Sequence, residues 1–317
     1  MKIMEDGTAK RNIRCIKHKK FGSSVNRTVF IITTLMLPLI HTAIFWLYVN
    51  LDGIVMAFQD SRTGSWTMDN FVQVWEQLTR SNGELAIAFR NTMLYFLQGI
   101  VMMFVNLLIS FFVFKKIPGY KTYRVIFYLP SLISGIVLTT VFQEFIKPMG
   151  PLGSLMELFG VALPETGLLA DSKTATYTIM MYGLWTGFGA SVLLYNSSMS
   201  RIPKEVLEAA KLDGCGPFRE AFNIVLPMIM PMFTTMFIMN FAGIFSASGP
   251  VLLFTQGNYE TTTISYWMFE QVYGGGGYGG TGQYNLVSAF GLCLTVVAVP
   301  LTMAVRKPAD RVPTVDY

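Results

Sequence analysis

The sequence predicts an all-helical integral membrane protein with six transmembrane helices. Hydrophobic residues make up 52% of the 317 positions, charged residues make up only 14%, and the mean hydropathy is +0.46. This composition leaves too little polar surface for a water-soluble chain of this length. Six apolar stretches are each long enough to cross a hydrocarbon layer about 30 Å thick. They lie at about 28–49, 93–114, 123–146, 177–199, 222–247 and 284–305.

The basic residues assign a side of the membrane to each loop. Of the 24 Lys and Arg residues, 19 lie before the first span, after the second, after the fourth or after the last. The positive-inside rule then predicts that both termini and the loop between the fourth and fifth spans are cytoplasmic. The predicted segments are a basic tail at 1–27, a first transmembrane helix with an outer loop at 28–88, a five-helix core at 89–306 and a C-terminal tail at 307–317. Contact of the tail with anionic lipid explains its charge better than nucleic acid does.

The longest outer loop is predicted to contain a short helix. Apolar residues recur there at helical spacing, and Asp69 is placed to cap the first turn. We expect this helix to pack on the lipid headgroups rather than dock an external protein. A later outer loop contains GGGGYGG at 274–280, which suggests a flexible backbone and not a nucleotide site, because no strand precedes it. The apolar residues of the short helix are Phe71, Val74, Trp75 and Leu78.

The loop between the fourth and fifth spans is predicted to hold a polar helix of about three turns. Pro203 suits the first turn, good helix formers follow, and Gly214 suits a left-handed position just after the helix. Helical spacing predicts one small apolar face and a charged rim. The predicted face contains Ile202, Val206, Ala209, Ala210 and Asp213.

The residues of this loop, in order, resemble the cytoplasmic "EAA" loop of ABC importer permeases. Glu208-Ala209-Ala210 is followed by Asp213-Gly214, and then by I-x-L-P and a second proline in the next span. Cys215 stands where the family commonly has alanine. Runs at 124–146 and 249–269 are similar to the carbohydrate branch of these permeases, particularly those for oligosaccharides.

The resemblance implies a type I ABC importer permease fold and a set of partners. Such permeases work in pairs, with two cytoplasmic ATPases below and an extracellular or periplasmic solute-binding protein above. Mg-ATP would bind the ATPases, so this chain would be neither an enzyme nor the holder of a cofactor. The coupling loop at about 200–221 would contact the ATPases through Glu205, Glu208, Ala209, Ala210, Asp213 and Gly214. Pro227 and Pro231, which interrupt the fifth span, would serve as a hinge.

A sugar pathway through the membrane would use aromatic faces and uncharged hydrogen-bonding groups. Asn240 can equally form a hydrogen bond between helices, and Trp185 can anchor a helix at the interface. The candidate residues are Gln143, Glu144, Tyr182, Trp185 and Asn240.

Two other classes of membrane protein fit the sequence less well. A self-sufficient channel or ion-coupled carrier would place paired charges inside several spans, whereas here the carboxylates gather at span ends and in loops. An intramembrane enzyme would need a convergent nucleophile or metal set. The sequence has no GxxxxGK[ST], no HExxH and no cluster of His with carboxylates, so we predict no catalytic residue and no metal.

Overall fold

The computed structural model describes residues 24–80, 83–160, 164–274 and 283–309. Helices account for the regular structure of these residues, and the one isolated β-bridge among them joins Gln59 to Trp66. The prediction of an all-helical membrane protein is therefore confirmed. The glycine-rich run and most of both predicted tails lie outside the described residues.

The chain separates into two units, Met1–Gly53 and Ile54–Tyr317. The described part of the first unit is one long apolar helix. It consists of α1 (Ser24–His41), a π-helical stretch (Thr42–Tyr48) and the start of α2 (Val49–Ala57). The apolar helix runs from Arg27 to Ala57, eight residues past the predicted end of the first span. Residues 27–52 of this helix are exposed, as Leu37 is at 77%, and such an apolar surface suits contact with lipid or another protein.

Three more spans are close to the predicted positions. The second is α4 (Glu84–Phe114), which begins nine residues earlier than predicted. The fourth consists of α8 (Ala175–Thr186) and α9 (Gly189–Met199), and the last is α16 (Tyr284–Ala309). Each is apolar and long enough to cross a membrane.

The third predicted span is bent and is not one continuous helix. It is divided into α5 (Tyr120–Leu132) and α6 (Gly135–Ile146), and α5 meets the following segment, Gly135–Leu158, at 110°. Ile133 and Ser134 have extended ψ values of 143° and 133°, which no α-helix contains. A short helix α7 (Pro151–Leu158) follows.

The fifth predicted span also bends, between the two prolines predicted to interrupt it. It begins with α11 (Pro217–Glu220), a π-helical turn and α12 (Leu226–Met228), and continues as α13 (Met230–Ala242). The two parts meet at 82°. Among the described residues there are thus four spanning helices, or six spans if each bent pair crosses once.

The outer loop contains the predicted short helix, now α3 (Asp69–Thr79). Met68, not Asp69, occupies the N-cap, and the Asp69 amide donates to the Thr67 hydroxyl at 3.1 Å. Val74 is buried within the protein, and α3 packs against α16. The expected packing on headgroups is therefore wrong for this face, although Trp75 is 67% exposed.

Two buried clusters stabilise the second unit. One joins α4, α9 and α11–α13 near the polar loop, with Leu107, Tyr195 and Val225 fully buried in it. The other lies near α3 and contains Trp267 and Phe290. The remaining helices are α14 (Val251–Phe254) and α15 (Ile264–Tyr273).

Candidate coupling loop and membrane cavity

The polar loop contains α10 (Lys204–Leu212), and its end is built as predicted. Gly214 has φ +71°, the left-handed conformation in which glycine has no steric penalty. The Gly214 amide donates to the Lys211 carbonyl at 3.1 Å, and the Cys215 amide donates to the Ala210 carbonyl at 3.0 Å. This pair of bonds is a Schellman motif, which turns the chain sharply out of the helix. Pro203 is the N-cap residue, so its predicted place inside the first turn is wrong by one residue.

The predicted face of α10 has a buried part and an exposed part. Ala210 and the preceding Ile202 are each 5% exposed, and Leu207 packs against the buried cluster that contains Ile202. Val206, Ala209 and Asp213 are exposed. The helix is rotated so that Leu207 and Ala210 define its inner side.

The outer side of α10 is an exposed mixed surface. Glu205, Glu208, Ala209 and Leu212 recur at positions i, i+3, i+4 and i+7, so they share one face. Leu212 is 89% exposed. Among the described residues, neither glutamate has an ion-pair partner. An exposed apolar side chain on the same face as these two carboxylates suits contact with another protein that supplies cations.

A buried ion pair anchors the exit of this loop to α4. Lys115, at the end of α4, places its Nζ 2.6 and 2.7 Å from the two carboxylate oxygens of Glu220. Glu220 is 2% exposed and Lys115 is 22% exposed. The Lys115 Nζ also lies 5.7 Å from the centre of the Phe111 ring. Sequence reasoning missed this pair, although a glutamate at the start of an apolar span was a signal for a partner.

The break in the fifth span adjoins the same anchor. Pro227 lies in α12 and Pro231 is the second residue of α13, on either side of Ile229, where the helix breaks. Ile229 is buried in the cluster that also contains Ile202 and Met199. The loop, the ion pair and the break thus share one packed region.

A cavity of about 530 Å³ lies between α4, α8 and α13. Two predicted pathway residues, Tyr182 and Asn240, line it together with Gln98 and Tyr95. The Gln98 amide donates to the Met180 carbonyl at 2.7 Å, which leaves its own oxygen available. The Tyr95 hydroxyl is buried and has no hydrogen-bond partner among the described residues. Among the described residues, those that line this cavity include no Lys, Arg, Asp or Glu, so they offer aromatic and neutral polar groups.

The other three predicted pathway residues lie elsewhere. Trp185 packs in an aromatic cluster, with its ring centre 6.2 Å from those of Phe142 and Tyr182. The Gln143 amide donates to the Leu253 carbonyl at 3.1 Å. Glu144 pairs with Lys147 at 2.5 Å in an exposed position. The structure therefore brings two of the five candidates to the cavity, and a contact with solute stays a prediction for all five.

Comparisons with known proteins agree with this architecture. Residues 121–307 match the family model described as "Binding-protein-dependent transport system inner membrane component". The chain is 25% identical over 270 residues to the multiple sugar-binding transport system permease protein MsmF of Streptococcus mutans, covering 84% of this chain and 90% of that protein. It is also 25% identical over 212 residues to the sn-glycerol-3-phosphate transport system permease protein UgpA of Pectobacterium atrosepticum. This match covers 66% of this chain and 70% of that protein.

Solved structures show the same fold. A chain of a bacterial ABC transporter involved in the import of the acidic polysaccharide alginate superposes with a TM-score of 0.77 at 20% identity. The superposition covers 92% of this chain and 98% of that one. A second structure superposes with a TM-score of 0.76. It is a bacterial alginate transporter in complex with an alginate pentasaccharide-bound periplasmic protein. Because the family model covers more than half of the sequence, this chain belongs to the family of inner-membrane components of binding-protein-dependent transport systems.

Proposed function

We propose that this chain is the permease subunit of an ATP-driven importer and that α10 is its contact with a cytoplasmic ATPase. The observation that carries the proposal is the exposed face of α10 with its unpaired carboxylates and Leu212, held in place from behind by Leu207 and Ala210. The family match supports a transport role. In this proposal the polar loop and both termini are cytoplasmic, a second permease subunit completes the pathway, and a solute-binding protein delivers solute from outside.

The packed region behind α10 supplies a route for the motion. ATP-driven closure of two ATPases would push α10, and Leu207 would transmit the displacement to the buried cluster. Lys115 and Glu220 would make α4 move with the exit of the loop. The break at Ile229 between Pro227 and Pro231 would absorb the change in angle. Such rigid-body rocking with a local hinge is a common form of conformational switching.

The cavity favours a neutral sugar as the solute. Sugars bind through aromatic faces and neutral hydrogen bonds, and Tyr182, Asn240 and Gln98 offer both. Its volume is within the range of sites for small molecules. The described residues that line the cavity include no cation that could compensate the charge of an anionic solute. The similarity to MsmF, a permease protein of a multiple sugar-binding transport system, supports a sugar as the solute.

Reconstitution tests the proposal directly. The chain would be assembled in vesicles with a second permease, an ATPase pair and a binding protein from the same genome, and uptake of radiolabelled neutral oligosaccharides would be measured with each component omitted in turn. We expect uptake only with Mg-ATP and every component present. Uronic-acid oligosaccharides and glycerol phosphate would be tested as competitors. If either competed as strongly as the unlabelled neutral sugar, the assignment of a neutral solute would be contradicted. ATP-independent flux through this chain alone would contradict the importer and favour a channel or carrier.

Filling the cavity should block transport without unfolding the chain. Gly183 lines the cavity, and an added Cβ would meet only the Gln98 amide nitrogen, at an ordinary 3.5 Å. Gly183→Leu should therefore place an isobutyl group in the path and lower uptake by roughly tenfold or more, while improving helix propensity. Gly183→Ala adds one methyl group at the same site and should keep most of the uptake. Equal uptake by the leucine and alanine variants would show that solute does not pass here.

A further inference from the structure

We infer that the end of the bundle next to α10 binds an anionic phospholipid, with the phosphate in a basic pocket and one acyl chain in an adjoining apolar groove. Of the residues that line the two spaces, the transport cycle proposed above uses only Lys115 and Leu207. The basic pocket has a volume of about 610 Å³ and lies where the end of α4, the start of α5, α9 and α10 meet. The groove has a volume of about 320 Å³ and runs between α5 and α9.

Cations dominate the pocket. Its basic lining residues are Lys115, Lys116, Arg124, Lys204 and Lys211. Glu220 neutralises Lys115, but the other four have no ion pair among the described residues. The described residues that line the pocket include no carboxylate, and Tyr120, Ser197 and Asn196 add hydroxyl and amide groups. Four uncompensated cations around one pocket attract an anion.

The backbone places one of these cations at a strained position. Lys116 has φ +55° and follows the last turn of α4. Its amide donates to the Val113 carbonyl at 3.1 Å, the same turn that Gly214 makes after α10. A left-handed conformation is unfavourable for lysine and free of penalty for glycine. A strained lysine in a basic pocket is consistent with a binding role for its charge.

The apolar groove continues from the pocket. Arg124, Leu193 and Asn196 line both, so the two spaces adjoin. Beyond them the groove is lined by apolar residues of α5 and α9, among which Val125 is 64% and Leu132 is 66% exposed. From Arg124 to Leu132 the helix rises about 12 Å. α9 lies close to α5 here, since a Cβ on Gly189 would be 2.7 Å from the Ser131 hydroxyl.

A single amphiphilic anion accounts for both spaces. A free phosphate or soluble anionic metabolite would use the pocket and leave the groove empty. A neutral lipid tail would use the groove and leave four cations unpaired. A phospholipid with a negative headgroup has the required charge at one end and the apolar chain at the other, and basic pockets between membrane helices are suited to such headgroups.

The placement suggests a consequence for transport. Lys204 and Lys211 belong to α10, on the side next to the pocket. A bound headgroup would tie this helix to the bilayer and limit how far it moves. This consequence rests on the proposed function of α10, whereas the lipid site does not, so the site is tested without any transport assay.

Photolabelling tests the site. The full chain would be placed in phosphatidylcholine nanodiscs that contain a trace of phosphatidylglycerol with a diazirine in one acyl chain, irradiated, digested and mapped by mass spectrometry. We expect adducts on residues 120–132 or 189–199. Unlabelled phosphatidylglycerol should suppress them, and extra phosphatidylcholine or inorganic phosphate should not.

Variants test the charge of the basic pocket and the shape of the apolar groove separately. Lys116→Gly with Arg124→Gln removes two cations and relieves the strain at 116, so the chain should stay folded while labelling falls roughly tenfold or more. Leu129→Trp fills the groove without changing charge and should also lower labelling. Lys121→Gln is the matched control, because Lys121 is exposed on α5 but does not line the pocket.

Three results would overturn the inference. Displacement of the probe by inorganic phosphate as effectively as by phosphatidylglycerol would indicate a site for a soluble anion. Equal labelling of the double variant and Lys121→Gln would show that the pocket does not hold the headgroup. Loss of labelling when a second permease subunit is assembled with the chain would identify the groove as a subunit interface.

Discussion

Replacing Glu208 by lysine should abolish ATP-driven uptake and leave the chain folded in the membrane. Glu208 is exposed at the centre of the outer face of α10 and has no ion-pair partner among the described residues, so its replacement disturbs little within this chain. Against a partner surface that supplies a cation, the new lysine places like charges together, which costs several kcal/mol. Since each 1.4 kcal/mol is a factor of ten, uptake should fall roughly a hundredfold or more.

Gly214→Asp should have the same effect for a different reason. A Cβ at Gly214 meets no atom within 4 Å, so the new side chain points into open space, and the added carboxylate would disturb the contact that we propose for α10. The φ of +71° adds a backbone penalty of about 1 kcal/mol for any residue other than glycine. Gly214→Ala has the same backbone penalty but adds no carboxylate. Its uptake therefore measures the effect of the backbone penalty alone.

The measurement is uptake by the reconstituted complex, together with ATPase activity and co-purification of the ATPase. Glu157→Lys makes the same charge change at an exposed position of α7 and should transport normally. Membrane insertion of each variant is checked by its yield after detergent extraction. Normal uptake by both Glu208→Lys and Gly214→Asp would remove α10 from the coupling route.

Local chemistry predicted the end of α10 better than its orientation. Gly214 could be placed because the left-handed turn depends on one residue and its immediate neighbours. The buried side of α10 could not be predicted from local sequence, because small apolar residues lie on both sides of this short helix. Ile202 and Leu207 determine which side of α10 is buried, because they pack with residues that are distant in sequence.

Hydropathy located the spans and missed one of their breaks. A window average responds to apolar content, and both parts of the third span are apolar. The break at Ile133 had a local signal, since Ser134 followed by Gly135 suits the start of a new helix and Pro130 weakens the preceding one. The cavity had no such signal, because Gln98, Tyr182 and Asn240 come from three helices that only the fold brings together.

The same limit applies to Lys115 and Glu220, whose separation of 105 residues hides them from any local pattern. We expect Lys115→Met to destabilise the chain by about 3–5 kcal/mol, because it keeps most of the side-chain volume and leaves the Glu220 carboxylate buried without a counter-ion. Glu220→Met should cost a similar amount by leaving the lysine unpaired. The measurement is the free energy of unfolding in a fixed detergent, or the melting temperature in nanodiscs.

The double variant distinguishes a buried charge from lost packing. With both charges removed, the desolvation penalty disappears, so Lys115→Met with Glu220→Met should recover much of the stability that each single change loses. The chain supplies its own control, since Lys147 and Glu144 form a pair of the same residue types that is 57% and 63% exposed. Lys147→Met should cost no more than about 1 kcal/mol, because water screens that pair. If Lys115→Met were no more destabilising than Lys147→Met, the ion pair would not anchor the loop to α4, and the proposed route from α10 would depend on the Leu207 contact alone.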